Sequence, residues 1–301
     1  MSSTELKGII TAMVTPFSVE DESLDVAAAA NMASWLVEKG MNGIFIAGTN
    51  GEFHLMDDAE KVALTKGVVA SVNGGVPIIA GAGCCGTKHT IDLAKQLAEA
   101  GADVISVVTP YYLVPKQDDL RRHYERIAES VDIPIVMYNI PGQTGCKIEP
   151  ETADALADIP NIVGVKDSGG DFDTQLAYIE ISKRKDFAVL NGSDSMMLRA
   201  FEAGSVASVA ATSNIIPEIE AKLYADFLAG DYDAAQAQRD MMDPLRVALK
   251  RCVAPAVMKQ ALNMMGFSAG TTRAPIHMPS KEVVASIDDM LTGYGISHGM
   301  K

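Results

Sequence analysis

The feature that most constrains this chain is a series of short apolar runs, each followed by a longer segment of mixed polarity. The runs are Gly8–Thr15, Gly43–Ala47, Pro77–Gly81, Val104–Val108, Pro134–Tyr138, Ile162–Val165, Ala188–Leu190 and Ser205–Ala210. Most are continuously apolar rather than alternating, as parallel strands covered on both faces are. The segments between them, such as Asp25–Lys39, Thr87–Ala100, Glu149–Leu156 and Ser195–Ala203, carry apolar residues at helical spacing. Asp57 and Thr87 are candidate N-caps, and Gly40, Gly101 and Gly204 fall where helix C-caps belong. The strand–helix unit recurs roughly every 28 residues, and eight right-handed units of this kind close into a (β/α)8 barrel. A doubly wound open sheet is the alternative fold.

After the eighth run the pattern changes. Glu218–Leu228, Tyr232–Leu249, Ala254–Met264 and Lys281–Thr292 read as successive helices, joined by Gly230-Asp231 and Gly266–Pro279. The expected organisation is an α/β TIM barrel over 1–225, which carries the chemistry, and a C-terminal helical extension over 226–301 packed on it. No joint is rich enough in Gly, Ser or Pro to make the extension independent.

Composition narrows the partners. A net charge of -14 repels nucleic acid and anionic membranes, and a site for an anionic substrate must concentrate local donors. No apolar run approaches the roughly 20 residues that span a bilayer. The polar start, Met1–Lys7, lacks a signal-peptide core. Cys84, Cys85, Cys146 and Cys252 form no C-x-x-C pair, and the five histidines are scattered. Neither a disulfide framework nor a metal site is expected, and a cytoplasmic location is.

In such barrels the chemistry sits at the C-terminal ends of the strands. Lys166 follows the apolar run Asn161–Val165. An amine at a dry barrel mouth loses its charge readily, and the free amine can capture a ketone as an iminium ion. The plain alternative is that Lys166 reaches solvent or pairs with Asp167. Tyr138 ends the neighbouring run and offers a phenol for proton transfer, or is simply a rim aromatic. Tyr111, Tyr112 and Thr49 add hydroxyls. Gly48-Thr49-Asn50-Gly51 can curl into a nest of N–H groups for a carboxylate, or be an ordinary turn, with Glu52 orienting the loop. Gly81-Ala82-Gly83-Cys84-Cys85-Gly86 fits G-x-G-x-x-G after a strand. By itself it points to a nicotinamide-dependent oxidoreductase, but it follows the third strand rather than the first. The sixteen methionines read as core filler.

The motifs Thr11–Phe17 (TAMVTPF), Gly48–Glu52 (GTNGE), Val108–Tyr112 (VTPYY), Tyr138–Gly145 (YNIPGQTG) and Gly164–Ser168 (GVKDS) occur in one order over about residues 6 to 280. Together they resemble the dihydrodipicolinate synthase/N-acetylneuraminate lyase family of class I pyruvate-dependent aldolases. The resemblance implies a homotetramer of tight dimers that needs no cofactor and acts on pyruvate and an aldehyde. It implies that Lys166 carries the Schiff base, that Tyr138 is the acid/base with Thr49 as relay, and that Tyr112 enters the neighbouring subunit's site. Asn50, with Gly48 in the same loop, and the backbone near Val209 would hold the 2-oxo acid carboxylate; Gly192 and Asp194 would face the variable end.

Departures from the family patterns bear on the substrate. Gln143 stands where dihydrodipicolinate synthases usually carry Arg, and an amide lacks the bidentate charge of a guanidinium. Asn50 replaces a usual threonine, and Asp194-Ser195 and Ala211 depart from the sialic acid lyases. The chain most resembles aldolases of 4-hydroxy-2-oxoglutarate, then those of 2-keto-3-deoxy sugar acids. 4-Hydroxy-tetrahydrodipicolinate synthesis, a dehydratase using the same imine, and a non-catalytic sensor of the same fold stay open.

Overall fold

A computed structural model describes residues 6–299. The polar residues 1–5 and the last two lie outside it. Eight strands close a parallel barrel in sequence order: β1 (Gly8–Ala12), β2 (Gly43–Ile46), β3 (Ile78–Gly81), β4 (Val104–Val108), β5 (Ile135–Asn139), β6 (Ile162–Asp167), β7 (Ala188–Asn191) and β8 (Ala207–Ala210). Every strand residue is buried, which explains the continuous apolar runs. Side chains alternate between two layers. Ile10, Phe45, Ile79, Val108, Val136, Tyr138, Leu190 and Val209 pack together inside the barrel. Ile9, Ile44, Ile105, Met137, Val165 and Val189 join the larger core beneath the helices. Each such aliphatic side chain withdrawn from water stabilises the fold by about 1.5–3 kcal/mol.

The surrounding helices are α1 (Val26–Glu38), α2 (Asp58–Val72), α3 (Thr87–Glu99), α4 (Gln117–Ala128), α5 (Pro141–Thr144), α6 (Pro150–Leu156), α7 (Phe172–Ser182), α8 (Met197–Ala203) and α9 (Pro217–Leu228). Asp57 caps α2 with Glu60 in a reciprocal capping box. Thr87 does not cap α3: Gly86 holds that position, and the Thr87 hydroxyl instead meets His123 Nδ1 at 2.9 Å. The boundary expected at 225/226 falls inside α9.

Beyond it come α10 (Tyr232–Met241), α11 (Asp243–Leu249), α12 (Ala254–Met264) and α13 (Lys281–Gly293). The single helix expected over Tyr232–Leu249 is two, because Pro244 lacks the N–H that would continue the ladder and starts α11 instead. Among the described residues no helix is long and apolar enough to cross a membrane.

The glycines of the G-x-G-x-x-G segment serve packing. A Cβ on Gly81 would lie 2.0 Å from the Ala47 carbonyl oxygen, and one on Gly83 would lie 2.6 Å from the Val108 nitrogen. The space beside them is about 10 Å³, too little for more than one water. Gly81 and Gly83 thus let β3 fit between β2 and β4 and leave no room for a phosphate beside them; a cavity of about 580 Å³ lies further along the segment, lined by Cys84, Cys85 and Gly86.

Candidate active site

Tyr138 and Lys166 are register partners across β5 and β6. Strand alternation turns both inward, while Asp167, the next residue, turns outward. The Asp167 carboxylate accepts from Asn139 Nδ2 at 2.7 Å and from the Gly169 N–H at 3.1 Å. It is therefore occupied away from Lys166, so the Lys166–Asp167 pair considered above does not form.

Lys166 does not reach solvent either; it is 5% exposed. Its Nζ lies 4.0 Å from the centre of the Tyr138 ring and 4.4 Å from that of Phe45. Phe45 and Tyr138 meet edge to face at 6.1 Å. Burial pushes the Lys166 amine below the ordinary lysine value, and the Tyr138 hydroxyl and the Asp194 carboxylate pull it back only in part. The Tyr138 hydroxyl is 3.2 Å from Thr49 Oγ1. One amine, one phenol and one hydroxyl thus converge at the barrel mouth.

They open into a cavity of about 450 Å³. Of the residues expected from the sequence, Lys166, Tyr138, Thr49, Asn50, Gly192, Asp194 and Val209 line it. Asn50 Nδ2 donates to the Ala12 carbonyl at 3.4 Å, which fixes the loop after β2 over β1. Asp194 accepts from the backbone N–H of Ala211 at 3.2 Å and of Thr212 at 3.1 Å. Asn191, buried at the end of β7, donates to the Ser193 carbonyl and to Ser208 Oγ, both at 2.9 Å, and so holds the loop that carries Gly192 and Asp194.

Gly48, Tyr112 and Gln143 do not line the cavity. Gly48 lies behind Phe45, where a Cβ would meet the ring at 2.7 Å. Gln143 is exposed on α5, with its neighbour Ile140 facing the cavity instead. Tyr112 is 89% exposed at a left-handed φ of 78°, a conformation that disfavours a non-glycine residue.

Sequence reasoning missed Ser168, Ser193 and a wall from the C-terminal helices. Arg246, Leu249, Lys250 and Ala254 close one side of the cavity. Arg246 on α11 and Lys250 just past its end supply some of the local positive charge that an acidic chain needs around an anionic substrate.

A second buried cluster supports the same mouth. Glu52 ends the GTNGE loop at a left-handed φ of 54° and is 0% exposed. Its carboxylate meets Lys259 Nζ of α12 at 2.6 Å and accepts from the Arg273 N–H at 3.1 Å. Lys259 also donates to the Thr271 carbonyl at 2.6 Å and sits 4.2 Å from the centre of the Phe17 ring. The loop that presents Thr49 and Asn50 is therefore anchored to the C-terminal helices by a charge pair, a role the sequence reading had only sketched for Glu52.

Comparison with known proteins places the chain among relatives of the same fold. Residues 5–293 match the Dihydrodipicolinate synthetase family. A 4-hydroxy-tetrahydrodipicolinate synthase from Methanopyrus kandleri is 36% identical over 90% of this chain and 91% of its own. The crystal structure of dihydrodipicolinate synthase from Thermotoga maritima superposes with a TM-score of 0.93 at 34% identity, covering 97% of this chain and 99% of that one. The chloride-inhibited synthase from Acinetobacter baumannii in complex with pyruvate gives a TM-score of 0.92 at 33% identity, with 97% and 99% covered. The chain belongs to the dihydrodipicolinate synthetase family and is an enzyme of its lyase class.

Proposed function

We propose that this chain captures pyruvate as an imine on Lys166 and joins it to an aldehyde, as its relatives named 4-hydroxy-tetrahydrodipicolinate synthase suggest. The observation that carries the reading is a buried, carboxylate-free amine packed against the ring of Tyr138. The free amine attacks the keto carbon and water leaves. Loss of a C3 proton into the Tyr138–Thr49 pair gives the enamine, whose carbon attacks the aldehyde. The same hydroxyls return a proton to the new alkoxide, and hydrolysis releases the product and regenerates the amine. Asn50 and the backbone at Val209 hold the 2-oxo acid carboxylate in this reading, while Gly192 and Asp194 face the aldehyde end.

Gln143 supports a second reading. A neutral, exposed amide at this position offers no charge to a second carboxylate, which favours a 2-keto-3-deoxy sugar acid, whose far end is neutral, over the dicarboxylate 4-hydroxy-2-oxoglutarate. Cleavage of 4-hydroxy-2-oxoglutarate or a 2-keto-3-deoxy sugar acid runs the same steps backward. The exposed Tyr112, Leu113 and Val114 support assembly with further copies of the chain, Tyr112 reaching the neighbour's cavity.

The test has two parts. Borohydride reduction with pyruvate should leave one pyruvyl adduct, on Lys166; an unmodified protein sinks the imine. Formation of 4-hydroxy-tetrahydrodipicolinate is then compared with release of pyruvate from the hydroxy-oxo acids, and the faster reaction assigns the direction.

A further inference from the structure

Beneath the distal wall of the cavity lies a carboxyl group that the reaction above does not use. Glu220 of α9 is completely buried. Its Oε1 lies 2.6 Å from the Thr212 hydroxyl oxygen, and its Oε2 is buried without a hydrogen-bond partner. The same Thr212 hydroxyl lies 3.0 Å from Asp194 Oδ2. One hydroxyl thus sits between two carboxyl groups. It owns a single hydrogen and can donate to only one of them. The other contact needs a proton from the carboxyl side.

The surroundings decide which carboxyl holds that proton. Asp194 has two backbone N–H donors and room for the hydroxyl as a third. A carboxylate so supplied keeps its charge. Glu220 has one contact and an orphaned oxygen, and an unpaired anionic oxygen inside a protein is costly. Burial raises both acids, Glu220 well above the ordinary range, with the Asp194 charge adding to the effect.

We infer that Glu220 is a neutral acid that donates to Thr212, so that the Thr212 hydroxyl donates to Asp194 and fixes it as an anionic acceptor at the far end of the cavity. Asp194 Oδ2 then accepts two hydrogen bonds and Oδ1 one, the latter from Ala211. A lone pair remains on Oδ1. Asp194 lines the cavity. It therefore selects a substrate whose far end carries an O–H or N–H donor. Glu220 is a positioning residue acting through Thr212. The substrate part of this inference rests on imine capture at Lys166; the proton assignment does not.

Infrared difference spectroscopy tests the proton first. At neutral pH the wild type should show the C=O stretch of a protonated carboxylic acid, lost in Glu220→Gln and kept in Asp194→Asn. A band lost in the asparagine variant instead, or absent from the wild type, overturns the assignment.

The second test uses trapping on Lys166. Pairs of 2-oxo acids of equal length, with and without a hydroxyl on the far carbon, compete with pyruvate for borohydride reduction. The hydroxylated member should compete about tenfold better, the size of one hydrogen bond to a charged group. Glu220→Gln should keep that preference, because its amide still donates to Thr212. Thr212→Val should weaken it and Asp194→Ala erase it. Equal competition in the wild type, or a preference that survives in Asp194→Ala, overturns the selection. A wild type that traps no pyruvate counts against the imine on Lys166, and the infrared band still decides where the proton lies.

Discussion

Lys61, Lys166 and Lys259 are the buried lysines among the described residues, and the surroundings of the last two are opposite. Lys259 meets Glu52, donates to the Thr271 carbonyl and lies over Phe17. Lys166 lies between the rings of Phe45 and Tyr138, with no carboxylate in ion-pair reach among the described residues. Burial lowers both amines, Lys259 to about 8, where the Glu52 charge opposes the fall. At neutral pH Lys259 therefore remains an ammonium and serves as a strut. Lys166 has a hydroxyl for company and a cavity in front of it. Burial alone does not make a nucleophile; the missing counter-charge and the open cavity do.

The largest effect expected separates the two directly. Peptide mapping after reduction with pyruvate should place all adduct on Lys166 and none on Lys259, and Lys166→Ala should abolish it. An adduct on Lys259, or one that persists in the alanine variant, would break the distinction.

Next in size is a loss of stability at the strut. Lys259→Met leaves the Glu52 carboxylate buried and unpaired, which should cost about 3–5 kcal/mol. The denaturant midpoint should fall accordingly, and adding Glu52→Gln should recover part of the loss. A midpoint unchanged in the single variant would mean that the pair does not anchor the loop.

How much of this was legible from sequence follows the same division. Parallel strands covered on both faces must be continuously apolar, so the eight runs could be read. β6 was read as ending at Val165 because Lys166 and Asp167 are charged; the ladder to Tyr138, Asn139, Leu190 and Asn191 carries it through both. Lys166 stood out because an ammonium at the end of such a run is anomalous. Glu52 was legible as a loop-orienting residue, but its pairing with Lys259 was not, because a pair separated by a whole barrel leaves no spacing signal. Nor were Arg246 and Lys250, whose place on the cavity wall depends on how α11 lies over the mouth. Tyr112 and Gln143 were given site roles by resemblance, and within one chain neither faces the cavity.

A smaller effect is expected at the phenol. Tyr138→Phe keeps the ring against Lys166 and removes the hydroxyl, so turnover should slow by about tenfold or more. The capture rate carries a sign as well. It should rise with pH as free amine forms and level off below 10.5, the ordinary lysine value. Because the Tyr138 hydroxyl holds the amine up against burial, its removal should move that levelling to lower pH. A shift the other way, or turnover at the wild-type rate, would take the hydroxyl out of the mechanism.

The smallest effect is the one in which the two lysines should differ in sign. Lys166→Met replaces a buried amine that lacks a counter-charge by an apolar chain of similar length, and should leave stability unchanged or raise it by up to about 1 kcal/mol. The folded amine lies below 10.5 and the unfolded one at it, so between those values the unfolded chain binds more protons. Wild-type stability gains from this group as pH rises through that window, and the gain is complete above 10.5. The advantage of the methionine variant should therefore be greatest at neutral pH and shrink as 10.5 is approached. Thermal melts of both proteins at the two ends of the range measure it. A methionine variant clearly less stable at neutral pH would show that Lys166, like Lys259, is held by a partner, and the contrast between an idle amine and a strut would fail.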